Sequence, residues 1–115
     1  MRHLPPITEA AFQKMVLALA RLHGWKSAHF RASLNARGKW QTAVAGDGVG
    51  FPDLVLCHDG KGGHVPRVLF VELKTDTGRI RPEQREWIAA INAAGGTAVV
   101  WRPGDWPQIE KELRG

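Results

Sequence analysis

The sequence predicts an α/β protein with a mixed β-sheet, in the element order α-β-β-β-α-β. Apolar residues at helical spacing alternate along the chain with short runs that are rich in valine and leucine. One connection between two such runs is too short for a parallel crossover, whereas a helical segment joins the last two runs. The length of 115 residues suits a single domain, which we expect to span residues 1–115.

The first predicted helix begins at Glu9 and ends near Gly24. Thr8 is a favourable N-cap residue, and glycine suits the position that follows a helix. The apolar residues of this helix, including Phe12 and Val16, recur at helical spacing. Glu9 precedes them on the same stripe, so we expect its carboxylate at the N-terminal margin of the apolar face.

Short strands should follow this helix. "WKSAHF" and "KWQTAV" each predict one, and "GDGVGFPD" predicts a loop that leads into a strand from Asp53 to His58. The loop "DGKGGHVP" is short, so the next strand, Arg67 to Thr75, should pair antiparallel with the preceding one. Both faces of this strand are apolar, which predicts a central strand that is covered on both sides.

A helix, a strand and a last helix complete the predicted order. Pro82 occupies the favoured first position of a helix that should run to Ala94 and stop at the "GG" dipeptide. "TAVVW" predicts a strand parallel to the previous one, since a helix lies between them. Residues from Pro107 to Leu113 predict the short terminal helix.

The charge favours a polyanionic partner. Sixteen lysines and arginines against eleven acidic residues give a net charge of +5. A soluble basic protein without such a partner is the alternative. No apolar run approaches the roughly 18 residues of a membrane span, no secretory signal is visible, and the lone Cys57 excludes an intramolecular disulfide or a zinc cluster. We therefore expect an intracellular, cytoplasmic protein with no membrane partner.

The stretch "VLFVELKTD" places two charged residues at the end of an apolar strand. Glu72 and Lys74 are two residues apart and should project from one face, where an unpaired charge would be costly. Asp53 begins the neighbouring antiparallel strand and can lie beside Glu72. Converging carboxylates suit a hard cation such as Mg²⁺ or Mn²⁺. With a lysine that can neutralise a phosphate or orient a water, they suit metal-assisted phosphodiester hydrolysis.

Gln84 heads the buried stripe of its helix, three residues before Trp87. A buried amide needs a hydrogen-bond partner, and this end of the helix should lie near the edge of the sheet that carries Glu72. Structural roles are the alternatives: an ion pair for Glu72 and Lys74, a helix cap for Gln84, and a favourable interaction with the helix dipole for Glu9.

These motifs resemble a known family. "GFPDLVL" followed by "VELK" resembles the signature of the PD-(D/E)XK nucleases, and "VELKTDTGRIRPEQREWIAAINAAGGTAVVW" resembles their VRR-NUC branch. The resemblance runs from Thr8 to Trp101 and implies a restriction-endonuclease-like core. It also implies a metal site, with Lys74 positioning the water or stabilising the phosphate and Gln84 supporting the site. The implied metal ligands are Asp53, Glu72, the backbone carbonyl of Leu73, and Glu9, the last directly or through water.

Two basic segments are candidates for phosphate contacts. Arg79 and Arg81 lie between the lysine and the glutamine of the motif, and the second segment comprises Arg31, Arg37, Lys39 and Trp40. Trp40 could stack on an unpaired base. For each arginine, a solvated surface charge is the alternative.

The sequence therefore predicts a Mg²⁺- or Mn²⁺-dependent endonuclease that hydrolyses DNA phosphodiester bonds. Similarity to compact phage-encoded VRR-NUC proteins implies a homodimer able to cut branched or Holliday-junction DNA, in the host cell of a phage. One site cuts one strand, so symmetric cutting needs a dimer. The alternatives are a catalytically silent nucleic-acid-binding module and an enzyme that acts on a small phosphorylated substrate.

Overall fold

The computed structural model describes residues 5–30, 32–34, 40–42 and 47–115, with the backbone alone for 32–34 and 40–42. The helices of this part are α1 (Glu9–Leu22), α2 (Pro82–Ala93) and α3 (Trp106–Arg114). Its strands are β1 (Lys26–His29), β2 (Ala32–Leu34), β3 (Trp40–Thr42), β4 (Leu54–His58), β5 (Arg67–Leu73) and β6 (Ala98–Trp101).

The main sheet has the strand order β1-β4-β5-β6. As the connection lengths predict, β4 pairs antiparallel with β5 and β6 pairs parallel with β5. Strand β1 pairs antiparallel with β4. Strands β2 and β3 form a separate antiparallel pair between β1 and β4 in the chain. Without that pair the order is α-β-β-β-α-β, so the predicted α/β, restriction-endonuclease-like class is confirmed. Strand β2 lies in the basic segment, where the sequence predicts no strand.

Local signals start both main helices as predicted. The Thr8 hydroxyl accepts a hydrogen bond of 3.1 Å from the Ala11 N–H at the start of α1. Pro82 occupies the first turn of α2, and the Gln84 side-chain oxygen accepts a bond of 2.9 Å from the Arg81 N–H. These contacts satisfy backbone donors that the helices themselves leave unpaired.

The apolar core lies on one face of the sheet, between the sheet and helices α1 and α3. Its central side chains are almost completely removed from solvent, which is the main favourable contribution to folding. They are Phe12, Val16, Ala20, Trp25, Leu54, Leu56, Leu69, Val71, Leu73, Trp101, Ile109 and Leu113.

The other face of the sheet is only partly covered. Along β5, Val68 is 43% exposed and Glu72 is 1% exposed, with the half-buried Phe70 between them. The prediction that both faces of β5 are covered is therefore wrong at the N-terminal end of the strand. A helix covers only the part of the sheet against which it packs. On this face of the sheet, α2 covers the end that carries Glu72.

Two strand ends also differ from the prediction. Strand β5 ends at Leu73 rather than Thr75, because the chain closes a turn in which the Gly78 N–H bonds to the Thr75 carbonyl over 3.2 Å. Strand β4 begins at Leu54, one residue after Asp53.

In the part of the chain that the structure describes, no helix is long and apolar enough to cross a membrane.

Candidate active site

The register of β4 and β5 brings Asp53 and Glu72 together. Leu54 lies opposite Val71, so Asp53, one residue earlier, faces Glu72, one residue later. The Asp53 Oδ2 atom accepts a hydrogen bond of 2.9 Å from the Leu73 N–H, which directs the carboxylate toward the end of β5. The structure thus shows the convergence of carboxylates that the sequence predicts.

Glu72 is buried beside this second carboxylate. Burial raises the pKa of Glu72 from 4.5 to about 9, helped by a hydrogen bond with Asp53 and by the Asp53 charge, while Lys74 acts in the opposite direction. A smaller rise in this pKa comes from Glu9. Without a metal ion, the raised pKa favours the protonated form of Glu72, which can share its proton with Asp53.

Lys74 follows β5 directly and lies on the Glu72 side of the sheet. Its Nζ atom is 4.0 Å from Glu72 Oε2, and its side chain is 12% exposed. The Lys74 N–H bonds to the Trp101 carbonyl over 3.0 Å, which extends the pairing of β5 and β6 by one step. This anchored backbone holds the ammonium group beside the carboxylates with a small part of the side chain open to solvent.

Gln84 joins the start of α2 to the buried glutamate. Its Nε2 atom donates a hydrogen bond of 3.2 Å to Glu72 Oε2, while its Oε1 atom accepts the bond from the Arg81 N–H. Gln84 therefore caps α2 and also contacts Glu72, while its support of a metal site stays a prediction. The Gln84 amide therefore contacts one of the two oxygens of Glu72.

Glu9 lies at the margin of the site. The residue is exposed, yet its carboxyl is shielded enough that burial, followed by the Asp53 charge, raises the pKa of Glu9, while Lys74 and Arg81 lower it. Within residues 5–30, 32–34, 40–42 and 47–115, no three His, Cys, Asp or Glu side chains gather closely enough to hold a metal ion. A metal-binding role for Glu9 stays a prediction.

The pair formed by Asp53 and Glu72 fits a divalent cation. Carboxylate oxygens are the ligands that Mg²⁺ and Mn²⁺ prefer, and the two groups face each other across neighbouring strands. Leu73 lies between Glu72 and Lys74, and its N–H orients Asp53. The proposed role of its carbonyl as a further ligand stays a prediction.

The basic residues divide into two groups. Arg79 and Arg81 are exposed and lie in the chain between Lys74 and α2; the Arg81 charge acts on Glu9, whereas phosphate contacts by either arginine stay a prediction. Arg31, Arg37 and Lys39 lie outside the described residues, and so does the side chain of Trp40.

Arg102 is a residue near the site that sequence reasoning missed. Its Nη1 atom donates hydrogen bonds to the carbonyls of Thr75 (2.6 Å) and Gly78 (2.7 Å), and Asp76 Oδ1 accepts a bond of 2.9 Å from the Gly104 N–H. These contacts fasten the turn after Lys74 to the segment after β6. The contacts span more than twenty residues, so no local pattern in the sequence indicates them.

Aromatic rings line the sheet next to the carboxylates. The Phe51 ring packs edge to face against Phe30, Trp87 and Phe70, with centroid distances of 5.5, 5.0 and 6.0 Å. The Trp87 indole N–H also donates a hydrogen bond of 2.9 Å to the Asp47 carbonyl, which ties the loop before β4 to α2. The position of Phe30 was missed as well, because it depends on the register of β1.

A mixed sheet that presents two carboxylates and a lysine at the ends of antiparallel β4 and β5 defines a restriction-endonuclease-like domain. The sequence model of the VRR-NUC domain matches residues 10–103, which is most of the chain. The chain therefore belongs to the VRR-NUC family, which implies a nuclease-type function and the binding of DNA. Comparisons with curated proteins and with solved structures gave no significant match.

Proposed function

We propose that this protein is a metal-dependent endonuclease that hydrolyses DNA phosphodiester bonds at the site formed by Asp53, Glu72 and Lys74. The observation that carries the proposal is a glutamate, 1% exposed, that faces a second carboxylate and lies beside a lysine. Burying this cluster with both carboxylates ionised is costly, because buried charge destabilises a fold unless it is compensated. A divalent cation together with a phosphate supplies that compensation.

Each residue of the cluster has a definite task. Asp53 and Glu72 would hold Mg²⁺ or Mn²⁺ with the Leu73 carbonyl, and the bound ion would polarise the phosphate and acidify a water. Lys74 donates hydrogen bonds to the phosphate or the attacking water. Gln84 keeps one oxygen of Glu72 occupied, which would leave the other oxygen for the cation.

Positive charge supports DNA as the proposed substrate, and the need to cut two strands supports a dimer. The net charge of +5 and the exposed Arg79 and Arg81 favour the DNA backbone. One site breaks one strand, so we propose a homodimer that cuts branched DNA such as a four-way junction in two strands. Mass photometry of the free protein and of its complex with a junction tests the dimer.

Cleavage assays test the activity directly. Labelled four-way-junction, flap, single-stranded and linear duplex DNA would be incubated with Mg²⁺, Mn²⁺ or EDTA. We expect metal-dependent cutting by the wild type, abolished by Glu72→Gln and Lys74→Ala. The matched controls Glu110→Gln and Lys111→Ala, which alter exposed residues of α3, should cut normally.

The other outcomes have definite meanings. Binding without cutting in either metal would identify a catalytically silent nucleic-acid-binding module. Cutting that survives both site substitutions would mean that the active site lies elsewhere or that the preparation contains another nuclease.

A further inference from the structure

Phe30 extends the row of residues that carries the two carboxylates. His29 pairs with Leu54, and the Phe30 N–H donates a hydrogen bond of 3.2 Å to the Asp53 carbonyl, so Phe30 lies opposite Asp53. Opposite residues of an antiparallel pair project from the same face, with Cβ atoms about 4.5–5.5 Å apart. Phe30, Asp53 and Glu72 therefore form one row across three neighbouring strands.

The Phe30 ring is supported by a neighbouring ring and remains partly open to solvent. It packs edge to face against Phe51, which is held in turn by Phe70 and Trp87, yet Phe30 remains 43% exposed. A rigidly backed aromatic ring loses little conformational entropy when a partner stacks on it, because few torsions remain to be fixed. Such a ring beside a phosphate-binding site offers a surface to a base.

We propose that Phe30 is a stacking platform for an unpaired nucleobase next to the phosphate that would be bound at the site formed by Asp53, Glu72 and Lys74. The inference rests on the proposed nuclease function and narrows its substrate to DNA whose bases are unstacked beside the cleaved bond. One strand spacing, about 4.8 Å, separates β1 from β4, which is within the reach of a nucleotide from its own phosphate. In an intact duplex neighbouring bases cover both faces of each base, so only an unstacked base can use the ring.

Stacking can be measured without cleavage. The protein would be titrated, with Ca²⁺ in place of Mg²⁺, into gapped DNA that carries 2-aminopurine in the gap and into the same sequence fully paired. The wild type and Phe30→Trp should quench the fluorescence of 2-aminopurine in the gapped DNA, whereas Phe30→Leu and Phe30→Ala should not. Loss of one stacked base should weaken binding to gapped DNA by about 5- to 150-fold, while duplex affinity changes less than about twofold.

Matched variants separate stacking from folding. Val68→Ala alters a residue with the same exposure of 43% on the same face of the sheet, four positions from Glu72, and should bind both DNAs as the wild type does. Phe30→Leu retains apolar packing against Phe51, so a loss of quenching in that variant reports the missing aromatic face. Thermal unfolding of each variant shows that it is folded under the assay conditions.

Two results would contradict the proposed stacking role of Phe30. One is quenching that persists in Phe30→Leu and Phe30→Ala, and the other is an equal loss of affinity for gapped and fully paired DNA. Cleavage is scored separately in Mg²⁺, so the two proposals can fail independently. If the wild type quenches 2-aminopurine through Phe30 but never cuts DNA, the stacking role stands and the proposed hydrolysis fails. If the wild type cuts DNA and the Phe30 variants bind it normally, the hydrolysis stands and the stacking role fails.

Discussion

Replacement of Glu72 by glutamine should remove a pH-dependent cost of folding. The pKa of Glu72 is raised from 4.5 to about 9 by burial and by Asp53, so the folded, metal-free protein holds a proton that the unfolded chain releases. Stability therefore falls as the pH rises through this range. Glutamine imitates the protonated acid, because its oxygen can accept from Gln84 and its NH₂ group can donate to Asp53.

The linkage gives the size of the effect. At about 1.4 kcal/mol per pKa unit, this group alone removes roughly 3 kcal/mol from the wild-type free energy of unfolding between pH 5.5 and pH 8. That loss is large against the roughly 5–15 kcal/mol that typical domains possess. Glu72→Gln should lack it, so the variant should gain stability relative to the wild type as the pH rises.

Urea unfolding in EDTA at several pH values between 5.5 and 8.5 measures the effect. The difference in unfolding free energy between Glu72→Gln and the wild type should grow across the series, while Glu110→Gln, a change at an exposed carboxylate, should follow the wild type. Excess Mg²⁺ at pH 8 should stabilise the wild type and leave Glu72→Gln unchanged. Parallel pH profiles for the wild type and Glu72→Gln would refute the reasoning.

Three further substitutions test the surroundings of Glu72. Lys74→Ala should slow single-turnover cleavage by about 10²- to 10⁴-fold, while its DNA affinity stays within a few-fold of that of the wild type. A loss of affinity as large as the loss of cleavage rate would contradict a role in the chemical step. Gln84→Ala removes the cap of α2 and a hydrogen bond to Glu72, so urea unfolding should show a loss of about 1–2 kcal/mol; an unchanged midpoint would show that neither contact matters. Arg102→Ala frees two carbonyls of the turn after Lys74, so amide hydrogen exchange at Gly78 should accelerate, whereas exchange at the wild-type rate would mean that the turn holds itself.

Local chemistry explains why much of the fold was predictable. Thr8 and Pro82 mark helix starts through their own backbone preferences, and the length of the loop between β4 and β5 permits only an antiparallel pair. Side chains along a strand alternate between its two faces, so Glu72 and Lys74, two residues apart, were predicted to lie on the same face. These predictions needed no knowledge of distant contacts.

The remaining features depend on contacts that a single segment does not encode. The half-open face at Val68 depends on how far α2 reaches across the sheet, and the exposure of Phe30 beside Asp53 depends on the register of β1. Arg102 looks like an ordinary surface arginine in the sequence, and its role becomes visible only when β6 lies next to β5. Such features belong to tertiary packing, which overrides local preference.

The charges of the site connect its stability to the proposed chemistry. Asp53, Glu72 and Lys74 would carry a net charge of −1 if all three were ionised, and both burial and an approaching phosphate oppose that state. Protonation of Glu72 makes the cluster neutral, whereas a divalent cation makes it +1 and attractive to DNA. The glutamate that destabilises the metal-free fold at high pH therefore favours uptake of the cation. If the proposed cation replaces the proton of Glu72, binding of Mg²⁺ near neutral pH should release about one proton per site, and calorimetry in buffers of different ionisation enthalpy would detect it.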